Sequence, residues 1–254
     1  MQAVTVPLRG RTVFITGASR GIGKAIAIRL AADGAAVVVT GKTVETHRTL
    51  PGTIYTAAEE IRSAGGSALA VPMDVRDEAQ VETAVNRAID EFGRIDVLVN
   101  NASAISLTGT AMTPMKRFDL MHQVNVRGTF LCTQKCLPHL KRGVGAHVLN
   151  IAPPLNFEPC WFAPHAAYSI SKYGTRTIID TAALALVPGV DRARARTPVI
   201  MADAAYEILT RDPTTCTGRF FVDEDILREV GVTDFSRYRT DPSSPEEPLD
   251  DFFL

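Results

Sequence analysis

Short, nearly continuous apolar runs alternate with helical stretches through the first two thirds of the chain, and this alternation limits the fold more than any other feature. The runs are TVFIT (12–16), AVVVT (36–40), ALAVPM (68–73), IDVLVN (95–100) and AHVLNI (146–151). Between them lie GIGKAIAIRLAADG (21–34), YTAAEEIRSAGG (55–66), DEAQVETAVNRAIDEFG (77–93) and a long helix, or two abutting ones, over 113–143 with Pro138 near its end. Strands apolar at every position are buried on both faces, which requires a parallel sheet covered by helices. Right-handed βαβ crossovers then give an α/β fold with a doubly wound, Rossmann-type parallel sheet. Residues 1–239 read as a single domain, with a helix over 200–211 and a last strand over 218–223, GRFFVD. Residues 240–254, proline-rich and acidic, read as an extended or mobile tail. The loop 43–54 is longer than a βα connection needs.

Charge narrows the function classes. With 27 basic and 28 acidic residues the net charge is −1, so no nucleic-acid partner is expected. The most basic stretch, DRARARTP (191–198), reads as a solvated surface segment. No run approaches the ~20 apolar residues needed to span a bilayer, and neither end carries a leader or lipidation signal. Cys132, Cys136, Cys160 and Cys216 show no metal spacing, so no metal site is expected. Cys132 and Cys136 read as small buried side chains, and a reducing cytoplasm fits this usage.

TGASRGIG (16–23) follows the first strand and opens the first helix. Gly17 permits a tight turn, Gly21 lets the backbone approach a pyrophosphate, and Gly23 lets the helix pack closely. The amides and positive dipole end of that helix face the anion. An NAD site wants an acid about 20 residues beyond the glycines. Here the second strand ends in Gly41 and Lys42. Lys42 and Arg20 converging on a 2′-phosphate favour NADP over NAD; the plain alternative for Lys42 is an exposed loop lysine.

YSISKYG (168–174) sets Lys172 one helical turn after Tyr168. Alone, such a pair is no more than two side chains on a solvated helix face. In company it is more. TGASRGIG, Asp74–Val75 after the third strand, NNAS (100–103) after the fourth, Asn125 in the long helix and Tyr168-x3-Lys172 stand in an order that resembles the short-chain dehydrogenases/reductases. The likeness covers nearly the whole chain. VFITGASRGIGKAIA, GTIYTAAEEI, NNASAISL and PPLNF are similar to the hydroxysteroid dehydrogenase-like protein 2 subgroup, some of whose members carry a C-terminal sterol-carrier domain.

The resemblance implies a set of roles. Ser19, Arg20, Gly21, Ile22 and Gly23 would cradle the phosphates; Asp74 would bond the adenine, with Val75 beside it. Asn101, Ala102 and Ser103 would lie against the cofactor, Ser103 standing where the family usually has Gly. Tyr168 would be the general acid/base, its pKa brought down from near 10 by the Lys172 charge. Lys172 would also hold the nicotinamide ribose. Asn125 would fix a water linking Lys172 to solvent; its plain alternative is a helix Asn bonded to backbone. A homodimer or homotetramer built on helix 113–143 and the helix starting near His165 is also implied.

Two departures stand out. The family's Ser after the fifth strand is missing: the text is NIAPPLNF, with Ala152 and Pro153. Asn156 is the nearest amide that could stand in, with Cys160, Trp161 and His165 as further candidates. The chain thus reads as an NADP-dependent oxidoreductase acting on a carbonyl or alcohol of an apolar substrate. Phe157, Trp161 and Phe162 would line the pocket, and steroid, fatty-acyl or small-ketone substrates stay open. The alternative is a divergent cofactor binder of weak or no turnover. Second, the sixth strand demanded by the doubly wound pattern is not in the text. About 20–25 residues are expected to be missing near Thr175–Arg176, which would leave Ile178 and Thr181 beside the nicotinamide carboxamide.

Overall fold

A computed structural model describes residues 6–46, 51–143, 145–153, 164–174 and 196–241. Five parallel strands form one sheet: β1 (Thr12–Ile15), β2 (Ala36–Gly41), β3 (Ser67–Pro72), β4 (Val97–Asn100) and β5 (His147–Asn150), in the order β3-β2-β1-β4-β5. Register is fixed by pairs such as Val13↔Val37, Val13↔Val97, Val38↔Leu69 and Val99↔Leu149. The helices between them are α1 (Gly21–Ala32), α2 (Ile54–Ser63), α3 (Glu78–Phe92), α4 (Met115–Met121) and α5 (Thr129–Leu140). After β5 come α6 (Ala166–Tyr173), α7 (Val199–Leu209), α8 (Pro213–Cys216) and α9 (Asp223–Glu229).

Alternate strand residues feed two cores, because successive side chains leave opposite faces of a strand. Val13, Ile15, Val37, Val39, Val97 and Val99 pack against α1, α2 and α7. Phe14, Val38 and Leu98 pack with α3 and α5 on the other face, where Cys132 and Cys136 are fully buried. Burial pushes the Cys132 thiol up to about 12, so it is inert packing.

The sequence places these elements to within a residue or two at most ends. The long helix is continuous through Met115–Leu140, with a π-helical segment at His122–Gly128 between α4 and α5. GRFFVD is not a strand: residues 219–222 have no regular structure and Asp223 opens α9. Its apolar run has strand composition but no strand beside it among the described residues, and a lone strand cannot satisfy its backbone. Arg196, read as part of a solvated stretch, is buried and paired with Glu224. The tail beyond residue 241, the surroundings of Thr175–Arg176, and residues Ile178 and Thr181 lie outside the described residues, as do Asn156, Phe157, Cys160, Trp161 and Phe162.

Candidate active site

In a sheet of this order the chain reverses its winding between β1 and β4, and the crevice at their carboxyl ends is the site such folds offer to ligands. Both flanking loops come from the motifs quoted above. They are stitched together by Thr16, whose hydroxyl accepts from the amides of Asn101 at 2.9 Å and Ala102 at 3.0 Å.

Gly17 and Gly21 both have positive φ, 69° and 59°, where a side chain is strained. A Cβ on Gly17 would stand 2.9 Å from the Ala102 Cα, whereas one on Gly21 would meet nothing. The open side of Gly21 is what backbone approach by a phosphate requires. Gly23 is packed differently from the expectation. Its Cβ would collide with the Asn101 side-chain nitrogen at 2.4 Å and the Gly17 carbonyl at 2.8 Å, so the close contact is with the loops themselves. Asn101 explains why: its Nδ2 donates to the carbonyls of Thr16 at 2.9 Å and Gly17 at 3.0 Å. That side chain is a clamp on the glycine loop.

A cavity of about 330 Å³ lies beyond these loops. Gly17, Ser19 and Arg20 line it from the glycine loop, Lys42 from the tip of β2, and Asp74 and Val75 from beyond β3. Asn101, Ala102 and Ser103 line it from the end of β4. Gly21, Ile22 and Gly23 do not; Ile22 is packed into the core. Arg20 is held in place by Thr43 Oγ1 at 3.3 Å and by the carbonyls of Gly52 at 3.3 Å and Pro51 at 3.4 Å. The long β2–α2 loop thus orients the guanidinium. Asp74 is ion-paired with Arg76 at 2.5 Å, and the Arg76 hydrogen bond holds its carboxyl below the usual carboxylate range. Lys42 lies near enough to add to that lowering.

The cradle fits a dinucleotide: a glycine turn with an open face, a helix N-terminus and two cations without an acid at the β2 tip. Held there, a nicotinamide cofactor would supply hydride transfer.

Tyr168 and Lys172 sit one turn apart on α6, 2% and 4% exposed. Tyr168 packs with Met121 and Ala167, against Ala104, Leu107 and Phe118. Lys172 Nζ donates to the Ile151 carbonyl at 3.2 Å, directly before the buried Ala152. Ala104 ties this region to the cavity, which it also lines. Asn125, buried in the π segment, holds Ala104 by both ends: its Oδ1 accepts from the Ala104 amide at 2.8 Å and its Nδ2 donates to the carbonyl at 2.9 Å. The same Nδ2 donates to Ser171 Oγ at 2.9 Å, and Ser171 Oγ donates to the Tyr168 carbonyl at 2.8 Å. A π turn inside an α-helix is a recurrent mark of functional sites. Here it aims Asn125 at the loop after β4 and at the Tyr168 helix together. Backbone bonding and a positioning role therefore coexist in Asn125.

Sequence reasoning missed Thr43, Arg76 and Ser171. Arg76, two residues after Asp74, had a local signal, an acid–base pair in one turn. Ser171 lay inside the quoted YSISKYG and was hidden by its neighbours.

The short chain dehydrogenase family model matches residues 11–202. Curated relatives named hydroxysteroid dehydrogenase-like protein 2 from Danio rerio and Xenopus tropicalis are 50% and 52% identical over 98% of this chain. The chain spans 65% of the length of these relatives. The Danio rerio alignment runs over 273 positions yet takes up about 249 residues here, 98% of 254, so about two dozen of its positions face no residue of this chain. A crystal structure of a candidate dehydrogenase from Xanthomonas campestris matches with TM-score 0.91 and 47% identity, over 98% of this chain and 99% of that one. A metagenomic short-chain oxidoreductase solved with NADP matches at TM-score 0.68 and 28% identity, over 85% and 96% of the two chains. With its glycine loop, switch-point cavity and Tyr168–Lys172 helix in one parallel sheet, the chain belongs to the short-chain dehydrogenase family.

Proposed function

We propose that the protein is an NADP-dependent oxidoreductase moving a hydride between nicotinamide and a carbonyl or alcohol of an apolar, steroid-like or fatty-acyl-like substrate. The observation that carries this reading is the pair of cations on the cavity wall. Arg20, preset by the β2–α2 loop, and Lys42 face a space with no carboxylate at the tip of β2. A 2′-phosphate is the anion that such a pair matches. The NADP-bound metagenomic neighbour supports it. Tyr168 is the acid/base and Lys172 its charged neighbour, while Asn125 and Ser171 hold their helix against the cofactor loop. Ile178 and Thr181 remain assigned to the carboxamide.

The exposed apolar side chains of Phe130 and Leu137 on α5 and Ile170 on α6 favour pairing with a second copy across these helices, as homodimer or homotetramer. Cys132, Cys136 and Cys216 are free, which suits the cytoplasm. Among the described residues no helix is long and apolar enough to cross a membrane.

Calorimetry with NADPH and NADH tests the reading. NADPH binds about tenfold or more tightly, and Arg20→Ala or Lys42→Ala removes the preference. Equal affinities in the unaltered protein would sink the NADP assignment. The second reading, a cofactor binder of low turnover, is favoured by one observation: buried Ala152 where the family has Ser. A rise in carbonyl reduction on Ala152→Ser, from a near-zero baseline, selects it.

A further inference from the structure

The connection from β2 to α2, longer than a crossover needs, returns to the glycine loop at Pro51, Gly52 and Thr53. Its ends are closed on each other, the Ile54 amide donating to the Thr43 carbonyl at 3.0 Å. Thr53 then caps α2. Its hydroxyl accepts from the Thr56 amide at 3.1 Å, and its own amide donates to Thr56 Oγ1 at 2.8 Å. Such a reciprocal pair fixes the direction in which the chain enters a helix. Thr53 and Ile54 are buried, so the carbonyls of Pro51 and Gly52 just before them have little freedom to move.

Gly52 meets two separate demands. Its φ is 99°, which strains any residue with a side chain. A Cβ there would also stand 2.8 Å from the Ser19 carbonyl oxygen. The two loops therefore touch backbone to backbone, and what the contact holds is Arg20. A guanidinium carries five N–H bonds. Nε donates to the Pro51 carbonyl, and Nη2 donates to both the Gly52 carbonyl and Thr43 Oγ1. Nη1 is left without a partner among the described residues, on a side chain that lines the cofactor cavity. Thr43 Oγ1 accepts from Arg20, so its own proton remains to be donated, and Thr43 lines the same cavity beside Lys42. Pro51 and Gly52 do not line it.

We propose that Pro51 and Gly52, outside the cavity, determine the choice of cofactor by positioning Arg20. They occupy the Nε side of its guanidinium and leave the Nη1 end for the 2′-phosphate, which Lys42 and the Thr43 hydroxyl meet from the tip of β2. This rests on the NADP reading and adds the residues that enforce it. The physical reason is preorganisation. Immobilising a long side chain at the moment of binding weakens a complex by about threefold to tenfold, and here that ordering is complete in the folded chain. NADH has no phosphate for the guanidinium to meet, so its affinity does not depend on the contact. Lysine at position 20 cannot do the same, since an ammonium lacks the planar fork that faces loop and ligand at once.

Calorimetry with NADPH and NADH on Gly52→Ala tests the proposal. The methyl group parts the two loops and weakens NADPH by about threefold to tenfold, with NADH unchanged within about twofold. Equal loss of both cofactors makes the contact merely structural and overturns the proposal. A parental NADPH preference that survives Gly52→Ala overturns it alone, whereas no preference in the unaltered protein removes the NADP reading and the proposal together. Should Gly52→Ala fail to fold, the Thr43 hydroxyl decides. Thr43→Val lowers the NADPH preference and Thr43→Ser, which keeps the hydroxyl, restores it. An unchanged preference in Thr43→Val, or no recovery in Thr43→Ser, rejects the positioning of Arg20 by this loop.

Discussion

The half of the molecule from β1 to α5 and the part after β5 are built from the same kind of sequence, yet among the described residues only the first has a complete sheet environment. In the first half each strand is followed by its helix and paired on both sides or at a natural edge, and the loops at the strand tips are cross-tied by Thr16 and Asn101. After β5 the described residues hold helices and an isolated antiparallel bridge between Arg196 and Arg239, and the apolar 219–222 stretch has no strand beside it. The difference shows that a βαβ unit fixes its own local geometry, whereas a strand segment acquires its conformation only from a neighbour. The candidate site straddles this divide: the cofactor cavity belongs to the complete half, and the Tyr168–Lys172 helix to the other.

The strongest way to separate the halves is chemical. Tyr168→Phe lowers turnover by about 10²–10⁴-fold while nicotinamide affinity, measured by calorimetry, stays near that of the parent. Lys172→Ala lowers both, because Nζ also anchors α6 to the Ile151 carbonyl. Retained activity in Tyr168→Phe would move the acid elsewhere.

Next in size is a packing change confined to the complete half. Gly23→Ala forces a methyl group into the Asn101 side chain and the Gly17 carbonyl. It lowers stability by about 1–3 kcal/mol, the usual range for overpacking, and weakens cofactor binding as the clamp on the loop is displaced. A thermal melt and a cofactor titration both unchanged would show that the loop yields freely.

The smallest effect is electrostatic. The Arg76 hydrogen bond lowers the Asp74 carboxyl below its ordinary value, so the pair's contribution is fully present above about pH 4. It is lost as pH falls through the lowered native value. Arg76→Ala therefore flattens the acid limb of the stability curve, measured by denaturant unfolding between pH 6 and about 3. An unaltered acid limb would mean that solvent screening cancels the pair.

Local pattern determined much of this protein. Apolar runs of strand length, the glycine loop between strand and helix, and Tyr168 one turn before Lys172 are short-range features whose physics is complete within about ten residues. They specified the parallel sheet, the crevice at the strand tips and the placement of Tyr168 and Lys172 on one helix. Only the tertiary structure decided which partner each side chain takes. Asn101 became a clamp because β1 and β4 are adjacent, though 85 positions separate it from the Thr16 carbonyl it holds. Asn125 reached Ser171 across 46 positions because the π turn aims it there. Arg196 went inside because Glu224 waits for it on α9. Residues 219–222 stayed irregular although their composition reads as strand, since backbone hydrogen bonds in a sheet come from another segment and none stands beside them among the described residues.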